Sequence, residues 1–238
     1  MVFALTLPVM AEGTCETRDF EGKGYAVCTV PAAQESNLRL WLNGPDGKVL
    51  GDFTSIRGTL APGEGLAFAM NAGMFHSDYS PVGLLIQDGA EVTPIVTPAS
   101  RGNFGMLPNG VFCAGGARPF QVIESRAFAS QRPACRIASQ SGPMLVIDGE
   151  LHPRFLVDSD SRYIRNGVGT SPDGQTAIFV MSNRAVTFHE FGRFFRDELG
   201  VRNALYFDGS ISRLYAPELG RADFGRRMGP IIGLVGQD

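Results

Sequence analysis

The chain has 238 residues, of which 44% are hydrophobic, 19% charged and 10% aromatic, and this composition excludes a disordered or collagen-like protein. It carries 21 Lys and Arg residues against 24 Asp and Glu residues, a near-balance that excludes a broadly basic surface for nucleic acid or acidic membranes. The length predicts one compact domain over residues 12–238. A small or sugar-like partner fits this charge balance best.

The N-terminal segment combines two features of a signal peptide. Met1–Met10 is an apolar run, and Val9-Met10-Ala11 resembles the small-residue pattern of a cleavage site. The run is too short to cross a bilayer. We therefore predict that residues 1–11 are the remnant of a signal peptide and that the protein is periplasmic or secreted. A buried N-terminal strand is the alternative.

Four cysteines, an even number, suit disulfide bonds in an exported protein. Cys15 with Cys28 and Cys113 with Cys135 are the nearest-neighbour pairs, although four cysteines allow three connectivities. None of them has the C-x-x-C spacing of a metal or redox site. A zinc site built from these cysteines is therefore not expected.

Most of the chain has the patterns of β-strands. Leu38–Leu42 alternates apolar and polar side chains, and turn residues at Gly44–Gly47 predict a hairpin with Lys48–Leu50. Leu66–Met70 is a continuous apolar run, typical of a strand buried on both faces, and it ends at Asn71. The whole pattern predicts an α+β (mixed α/β) fold: a strand-rich single domain with a mixed central sheet and few helices.

One helix is strongly indicated. It begins with Thr187 as the N-cap and Glu190 at capping-box spacing, and it ends near Gly200. Its apolar stripe consists of Phe188, Phe191, Phe195 and Leu199. A strand, Ala204–Phe207, follows the helix and delivers Asp208 into a loop. Strand ends of this kind are where α/β sheets usually place ligand chemistry.

Several loops combine glycine with amide, hydroxyl or charged side chains. Glycine lets backbone N–H groups approach a ligand, while Asn and Ser offer neutral donors and acceptors to hydroxyl groups. Each loop taken singly can also be an ordinary turn. The loops are Asn71–Phe75, Gly102–Phe104, Gln140–Pro143, Arg165–Gly169 and Phe207–Ser210.

Six short segments with glycine, amide or apolar residues follow one another along the chain: Asn71–Phe75, Pro81–Leu84, Pro108–Phe112, Gln140–Pro143, Arg165–Gly169 and Leu205–Ser210. Taken together and in this order, they resemble the phosphodiester glycosidase domain family. The motif-bearing part covers about residues 64–236 of the domain. The resemblance implies a hydrolase that cleaves the bond between a sugar's anomeric carbon and phosphate in a glycosyl phosphodiester of an exported or cell-envelope glycan.

The resemblance and the strand-end position make Asp208 the predicted nucleophile or base. A carboxylate next to the anomeric carbon stabilises an oxocarbenium-like transition state; the alternative is an Asp-Gly turn. The usual glycosidase scheme also expects a second carboxylate, for which Asp78, Glu190 and Glu64 are the candidates. Asp78 can instead form a turn with its neighbours, and Glu190 can serve only as the capping partner of Thr187.

Arg165 is the predicted phosphate ligand, because a guanidinium can meet two phosphate oxygens at once. Arg162 and Arg226-Arg227 are competitors, and a surface or salt-bridging role for Arg165 is the alternative. Neutral donors, acceptors and glycines complete the predicted substrate- and phosphate-binding set: Asn71, Gly73, Asn103, Ser141, Gly142, Asn166, Gly209 and Ser210.

The sequence offers little for a metal ion. His76 and Asp78 have H-x-D spacing, while His152 and His189 lie elsewhere, and neither an H-E-x-x-H motif nor an acidic calcium loop occurs. We expect no cofactor, with a weak divalent-cation site as the alternative.

Two other functions stay open at this point. One is a non-catalytic glycan-binding module on the same scaffold, and the other is a metal-dependent phosphodiesterase that attacks phosphorus. The expected partner is a sugar phosphodiester or a phosphate-containing glycan. Neither nucleic acid nor a membrane span is expected.

Overall fold

The computed structural model describes residues 14–209 and 211–237, so the predicted signal-peptide remnant lies outside the described residues. The strands are β1 (Thr14–Phe20), β2 (Lys23–Pro31), β3 (Leu38–Trp41), β4 (Glu64–Asn71), β5 (Leu85–Gln87), β6 (Ala90–Thr93), β7 (Gly110–Ala114), β8 (Phe120–Glu124), β9 (Ile137–Ser141), β10 (Met144–Ile147), β11 (Glu150–Leu151), β12 (Asn166–Thr170), β13 (Thr176–Ser182), β14 (Asn203–Tyr206), β15 (Leu214–Ala216), β16 (Arg221–Ala222) and β17 (Ile231–Gln237). The helices are α1 (Phe53–Arg57), α2 (Ser125–Gln131) and α3 (Phe188–Arg193), with 3₁₀ turns at Ala32–Asn37 and Pro217–Leu219 and a π-helical turn at Phe194–Glu198.

The strands form three sheets. The first has the order β1-β2-β13-β12-β14-β10-β11, the second β16-β15-β4-β17-β3, and the third β6-β5-β9-β7-β8. The predicted strand ending at Asn71 is β4, at the centre of the second sheet between β15 and β17. The predicted strand before Asp208 is β14, with β12 and β10 as its neighbours in the first sheet.

Every pair of neighbouring strands among the described residues is antiparallel. The prediction of a mixed central sheet was therefore wrong, whereas the strand-rich fold with few helices is confirmed. The error has a topological cause. β13 and β14 are connected through α3, but β12 lies between them and pairs antiparallel with both. The sequence pattern of a helix followed by a strand indicated a crossover connection. It did not show that β12 is inserted between the two strands that this connection joins.

The predicted helix starts as its sequence indicated. Thr187 accepts a hydrogen bond from the Glu190 backbone N–H at 3.1 Å, and the Glu190 carboxylate accepts one from the Thr187 N–H at 2.9 Å, which completes the capping box. Phe191 and Phe195 are buried against the first sheet. Gly200 follows the helix in a left-handed conformation, with φ of 64°.

One aromatic ring from each sheet meets in the main core. Phe179 of β13 lies 5.3 Å from Phe68 of β4 and 5.5 Å from Phe112 of β7, measured between ring centroids. All three side chains are almost fully buried. The three sheets therefore share one apolar core, and burial of this core fixes their positions relative to one another.

The disulfides join nearest-neighbour cysteines. Cys15 and Cys28 are directly paired residues of β1 and β2, while Cys113 of β7 is bonded to Cys135, which precedes β9. Both bonds were expected from the even cysteine count, and the structure selects this connectivity among the three possible ones. In the described ranges, none of the helices is long and apolar enough to cross a membrane.

Candidate active site

The loop from Phe207 to Arg213, called here the 207–213 loop, crosses from the first sheet to the second. It leaves β14 and enters β15, which pairs with β4. The Phe207 N–H donates to the Asn166 carbonyl at 3.0 Å, and the Asp208 N–H donates to the Ala72 carbonyl at 3.3 Å. Asp208 is 9% exposed. Both sheets therefore hold the backbone at Asp208.

Asn71, at the end of β4, holds both ends of this loop. Its Nδ2 donates to the Asp208 carbonyl at 2.7 Å, and its Oδ1 accepts from the Arg213 N–H at 3.0 Å. Asn166 at the start of β12 completes the arrangement, because its Nδ2 donates to the Asn71 carbonyl at 2.8 Å. Both amides are almost fully buried. They bond to the protein backbone and to each other, and Asn166 also contacts a methionine of β4 and accepts from a serine hydroxyl of the 207–213 loop, so the two amides shape the loop.

The Tyr206 side chain packs against the 207–213 loop at Gly209. A Cβ atom built on Gly209 would lie 1.4 Å from the Tyr206 hydroxyl, so the glycine backbone rests directly on the phenol. Burial raises the pKa of Tyr206 to about 12, with the Asp208 charge acting in the same direction and Arg165 and the Gly209 backbone against it. The phenol therefore stays protonated at neutral pH.

Arg165 is bound inside the protein. It is 1% exposed, its Nε donates to the Val186 carbonyl at 2.8 Å, and its Nη2 donates to the Ser161 carbonyl at 3.0 Å. The guanidinium carbon lies 3.7 Å from the centre of the Phe188 ring. Burial lowers the pKa of Arg165, while Tyr206 opposes that change. In this position the guanidinium contacts the phenol that supports Gly209.

Arg213, at the end of the loop, was not among the residues selected from the sequence. It is 6% exposed, and its Nη2 has no hydrogen-bond partner among the described residues. Burial lowers its pKa, against the charges of Asp52 and Asp223. The one feature of the sequence that points to Arg213 is its place in the loop that follows Asp208. Its burial depends on packing against the second sheet, and local sequence patterns do not show that packing.

The three candidates for a second carboxylate lie in different places. Glu64 starts β4, at the other end of the strand from Asn71, and is ion-paired with Arg39. Asp78 is exposed in a tight turn and accepts from the Ser80 N–H at 3.0 Å. Glu190 caps its helix and is ion-paired with Arg162 at 2.8 Å.

These carboxylates share one electrostatic property, namely a pKa below the ordinary value. For Glu64 the main cause is the hydrogen bond from Arg39, and for Asp78 it is the hydrogen bond from the Ser80 hydroxyl. Burial raises the pKa of Glu190, but the Thr187 N–H and Arg162 outweigh it. All three groups are therefore held ionised, which is the wrong state for a general acid at neutral pH.

The predicted glycines Gly73 and Gly142 lie beside β9. A Cβ at Gly73 would come within 2.3 Å of the Gln140 carbonyl, and the Gly73 N–H donates to the Ser139 hydroxyl at 3.1 Å. A Cβ at Gly142 would lie 2.9 Å from the Phe104 carbonyl. Both glycines therefore permit close backbone packing.

Ser141 and Asn103 belong to the same region as Gly142. The Ser141 hydroxyl is buried without a hydrogen-bond partner in the described part of the chain, and the Asn103 carbonyl lies 3.3 Å from the Cβ position of Gly142. Tyr206 connects this region to β14 through its N–H, which donates to the Pro143 carbonyl at 3.1 Å.

The structure thus brings Asn71, Asn166, Asp208 and Gly209 together in one bonded group and places Ser141 and Gly142 on a neighbouring segment. Ser210 lies outside the described residues. Within residues 14–209 and 211–237, no group of three or more His, Cys, Asp or Glu side chains is arranged to hold a metal ion.

Comparison with known proteins gives one family. The profile of the phosphodiester glycosidase family matches residues 64–230. The uncharacterized protein YigE of Escherichia coli K12 is 31% identical over 182 residues, which cover 76% of this chain and 70% of YigE.

Solved structures with low sequence identity share the fold. The catalytic domain of zebrafish N-acetylglucosamine-1-phosphodiester alpha-N-acetylglucosaminidase, auto-inhibited by its pro-peptide, matches with a TM-score of 0.64 at 13% identity, over 97% of this chain and 85% of that one. A hypothetical protein from Synechocystis matches with a TM-score of 0.57 at 15% identity, over 94% of this chain and 61% of its own. A Burkholderia pseudomallei K96243 protein, described as a candidate exported protein, matches with a TM-score of 0.53 at 12% identity, over 89% of this chain and 74% of its own.

Proposed function

Because the chain belongs to the phosphodiester glycosidase family, we propose that it hydrolyses the bond between a sugar's anomeric carbon and phosphate in a glycosyl phosphodiester. The observation that carries this proposal is the position of Asp208. Its backbone is held by Asn71 and Ala72 at the junction of two sheets, and the next residue, Gly209, lines a cleft of about 370 Å³. A carboxylate placed on rigid elements beside a cleft suits a glycosidase nucleophile or base.

Asp208 acts on the anomeric carbon in this proposal. The carboxylate either attacks that carbon, giving a glycosyl ester that water then hydrolyses, or it takes a proton from an attacking water molecule. In both cases the bond between the anomeric carbon and oxygen breaks, and the phosphate monoester leaves with the former bridging oxygen. The sugar gains its new hydroxyl from water.

A phosphate monoester leaves more readily than an alkoxide, so this reaction depends less on a general acid than ordinary glycoside hydrolysis does. The lowered pKa values of Glu64, Asp78 and Glu190 are compatible with that requirement. Stabilisation of the leaving group's negative charge is then the main demand. We assign Arg165 to holding Tyr206 instead of to the phosphate, because two of its nitrogens already donate to backbone carbonyls.

The proposed setting is outside the cytoplasm, in the periplasm or beyond the cell, on a glycan of the envelope. Two disulfides support this location, since such bonds persist in oxidising compartments.

The direct test offers purified protein a panel of sugar-1-phosphodiesters that differ in sugar and aglycone. We expect turnover by the wild type and a loss of about 10²- to 10⁴-fold in kcat for Asp208→Asn. The matched control is Asp88→Asn, which changes the exposed Asp-Gly turn between β5 and β6. Equal activity of a folded Asp208→Asn variant removes Asp208 from the mechanism.

Isotopically labelled water separates the proposal from its rivals. Label in the released sugar is the expected result, because it shows attack at carbon. Label in the phosphate, with activity lost in chelator, indicates a metal-dependent phosphodiesterase. Binding of the diesters without any turnover indicates a glycan-binding module.

A further inference from the structure

We infer that Arg213 and Phe224 form the binding subsite for a phosphodiester, with Arg213 on the phosphate and Phe224 beneath the ring of the attached group. The identity of the ligand rests on the proposed function. The site itself rests on the geometry of the loop 223–226 against the end of the 207–213 loop.

Arg213 is a buried cation with a hydrogen-bond donor that the described residues leave unused. Arg213 is only 6% exposed, yet its Nη2 has no hydrogen-bond partner among the described residues. Its two neighbouring carboxylates have other contacts: Asp223 is ion-paired with Arg221 at 2.9 Å, and Asp52 accepts from the Ser55 N–H at 2.7 Å. A buried guanidinium with an unused donor is costly, and an anion in the adjoining space would offset that cost.

Two clefts adjoin Arg213 and provide this space. The cleft of about 370 Å³ that contains Gly209 is also lined by Ser212, Arg213, Phe224 and Arg226. A second cleft of about 500 Å³ contains Asp52 and Tyr215 and shares Arg213 and Phe224 with the first. Arg213 therefore lies within a few residues of Asp208 along the chain and borders two clefts.

Gly225 packs against the guanidinium without adding a side chain. Its φ is 141°, a value that side chains rarely adopt, and a Cβ there would lie 3.3 Å from the Arg213 Nη2. A larger residue would therefore press on the nitrogen that lacks a partner. Because Gly225 carries no side chain, none of its atoms beyond the backbone fills the clefts that it lines with Arg213.

Phe224 supplies an aromatic surface at the rim of the clefts. It is 95% exposed, which is unusual for a phenylalanine, and it lines both clefts beside Arg213. An exposed aromatic ring next to a cationic pocket fits a ligand with one charged group and one flat, partly apolar face. A sugar ring joined to phosphate has both features.

Arg226 and Arg227, two other arginines near Arg213, have different surroundings. Arg226 is exposed and lines the smaller cleft, so it adds positive charge at the entrance. Arg227 instead donates to the Val49 carbonyl. In the smaller cleft, the positive charge available to a ligand therefore comes from Arg213 inside and Arg226 at the rim.

Binding is tested in the full chain carrying Asp208→Asn, with calorimetry of inorganic phosphate and of a sugar-1-phosphodiester. We expect Arg213→Gln to weaken both ligands by about thirtyfold or more, and Arg213→Lys to restore part of the affinity. Phe224→Ala should weaken the diester by roughly threefold to tenfold without changing phosphate binding, and Phe224→Trp should retain diester binding. The controls are Arg184→Gln, an exposed arginine outside both clefts, and Leu156→Ala, an aliphatic side chain that is 65% exposed.

Unchanged affinities in the Arg213 and Phe224 variants overturn the subsite, as does failure of both ligands to bind the parent protein. If Arg213→Gln does not fold, the Arg213→Lys and Phe224→Ala affinities decide, together with a crystal structure of the phosphate complex; phosphate bound away from Arg213 contradicts the inference. Binding at this subsite by a wild type that hydrolyses none of the diesters contradicts the proposed function alone.

Discussion

The hydroxyl oxygen of Tyr206 lies 1.4 Å from the position that a Cβ atom would occupy at Gly209. No side chain fits there unless the phenol or the loop moves, and Tyr206 is almost fully buried between the first sheet and α3. The loop beside Asp208 therefore keeps its shape because a glycine rests on a fixed phenol.

Gly209→Ala should displace the loop and lower kcat by at least tenfold, because misplacement by about 1 Å can cost about 10² in rate. Tyr206→Phe combined with Gly209→Ala should recover part of the loss by removing the closest atom. The ring carbon Cζ, at 2.5 Å from the Cβ position, prevents full recovery. The control is Gly58→Ala, whose Cβ meets its nearest neighbour at 3.4 Å. Full activity of Gly209→Ala contradicts the prediction.

Asn71→Ala should destabilise the protein by about 2–3 kcal/mol, because it leaves the Asp208 carbonyl and the Arg213 N–H without their partner. Asn166→Ala should lower the stability less in the Asn71→Ala background than in the wild type. We expect the coupling energy between the two substitutions to be about 0.5–3 kcal/mol. Urea unfolding of the single and double variants measures this coupling. Asn37→Ala, at an exposed site, is the control. Additive effects mean that the two amides act independently.

Arg165 and Arg213 should respond to substitution in opposite ways. Arg165→Met leaves the Val186 and Ser161 carbonyls without a donor and should destabilise the fold by about 2–4 kcal/mol. Arg213→Gln removes a buried charge with an unused donor and should leave stability unchanged or raise it by about 1 kcal/mol. Thermal unfolding compares the two. A large loss of stability in Arg213→Gln indicates that this guanidinium has a structural role instead.

Tyr206 should make the protein less stable at alkaline pH. Its pKa rises from 10.0 in the unfolded chain to about 12 in the folded one, mainly through burial. Between these values the unfolded chain has released a proton that the native state retains, so the contribution is complete below pH 10.0 and is lost as pH rises towards 12. Urea unfolding at about pH 9 and about pH 11 should differ by on the order of 1 kcal/mol for this residue. Tyr206→Phe should reduce the difference; an unchanged difference assigns it to other groups.

Local sequence patterns predicted the parts of this structure that depend on near neighbours. The capping box at Thr187 and Glu190 and the strand end before Asp208 follow from spacing and apolar runs. The turn at Gly44–Gly47 also forms, but only Asn43 and Val49 pair next to it, while β3 pairs with β17. The partner of β3 lies far along the chain, and no local pattern indicates it.

The site shows the same division between local and distant effects. Arg165 follows an isoleucine and Arg213 follows a serine, each in a polar loop. From the sequence, Arg165 was the predicted phosphate ligand. Packing distinguishes them: the Phe188 ring lies over Arg165, whereas Arg213 packs against Gly225, which has no side chain, and borders two clefts. These contacts join segments separated by more than ten residues, so their effect on each arginine appears only in the folded protein.

The two disulfides have a consequence for how this protein loses its activity. One closes the β1–β2 edge of the first sheet and the other braces the third, while the second sheet, which receives the end of the 207–213 loop, carries neither. The junction at Asn71 is therefore secured by noncovalent bonds alone within the described residues. Under mild denaturant, separation of the second sheet at this junction should inactivate the protein while the cross-linked sheets persist, so inactivation should precede the bulk loss of strand signal.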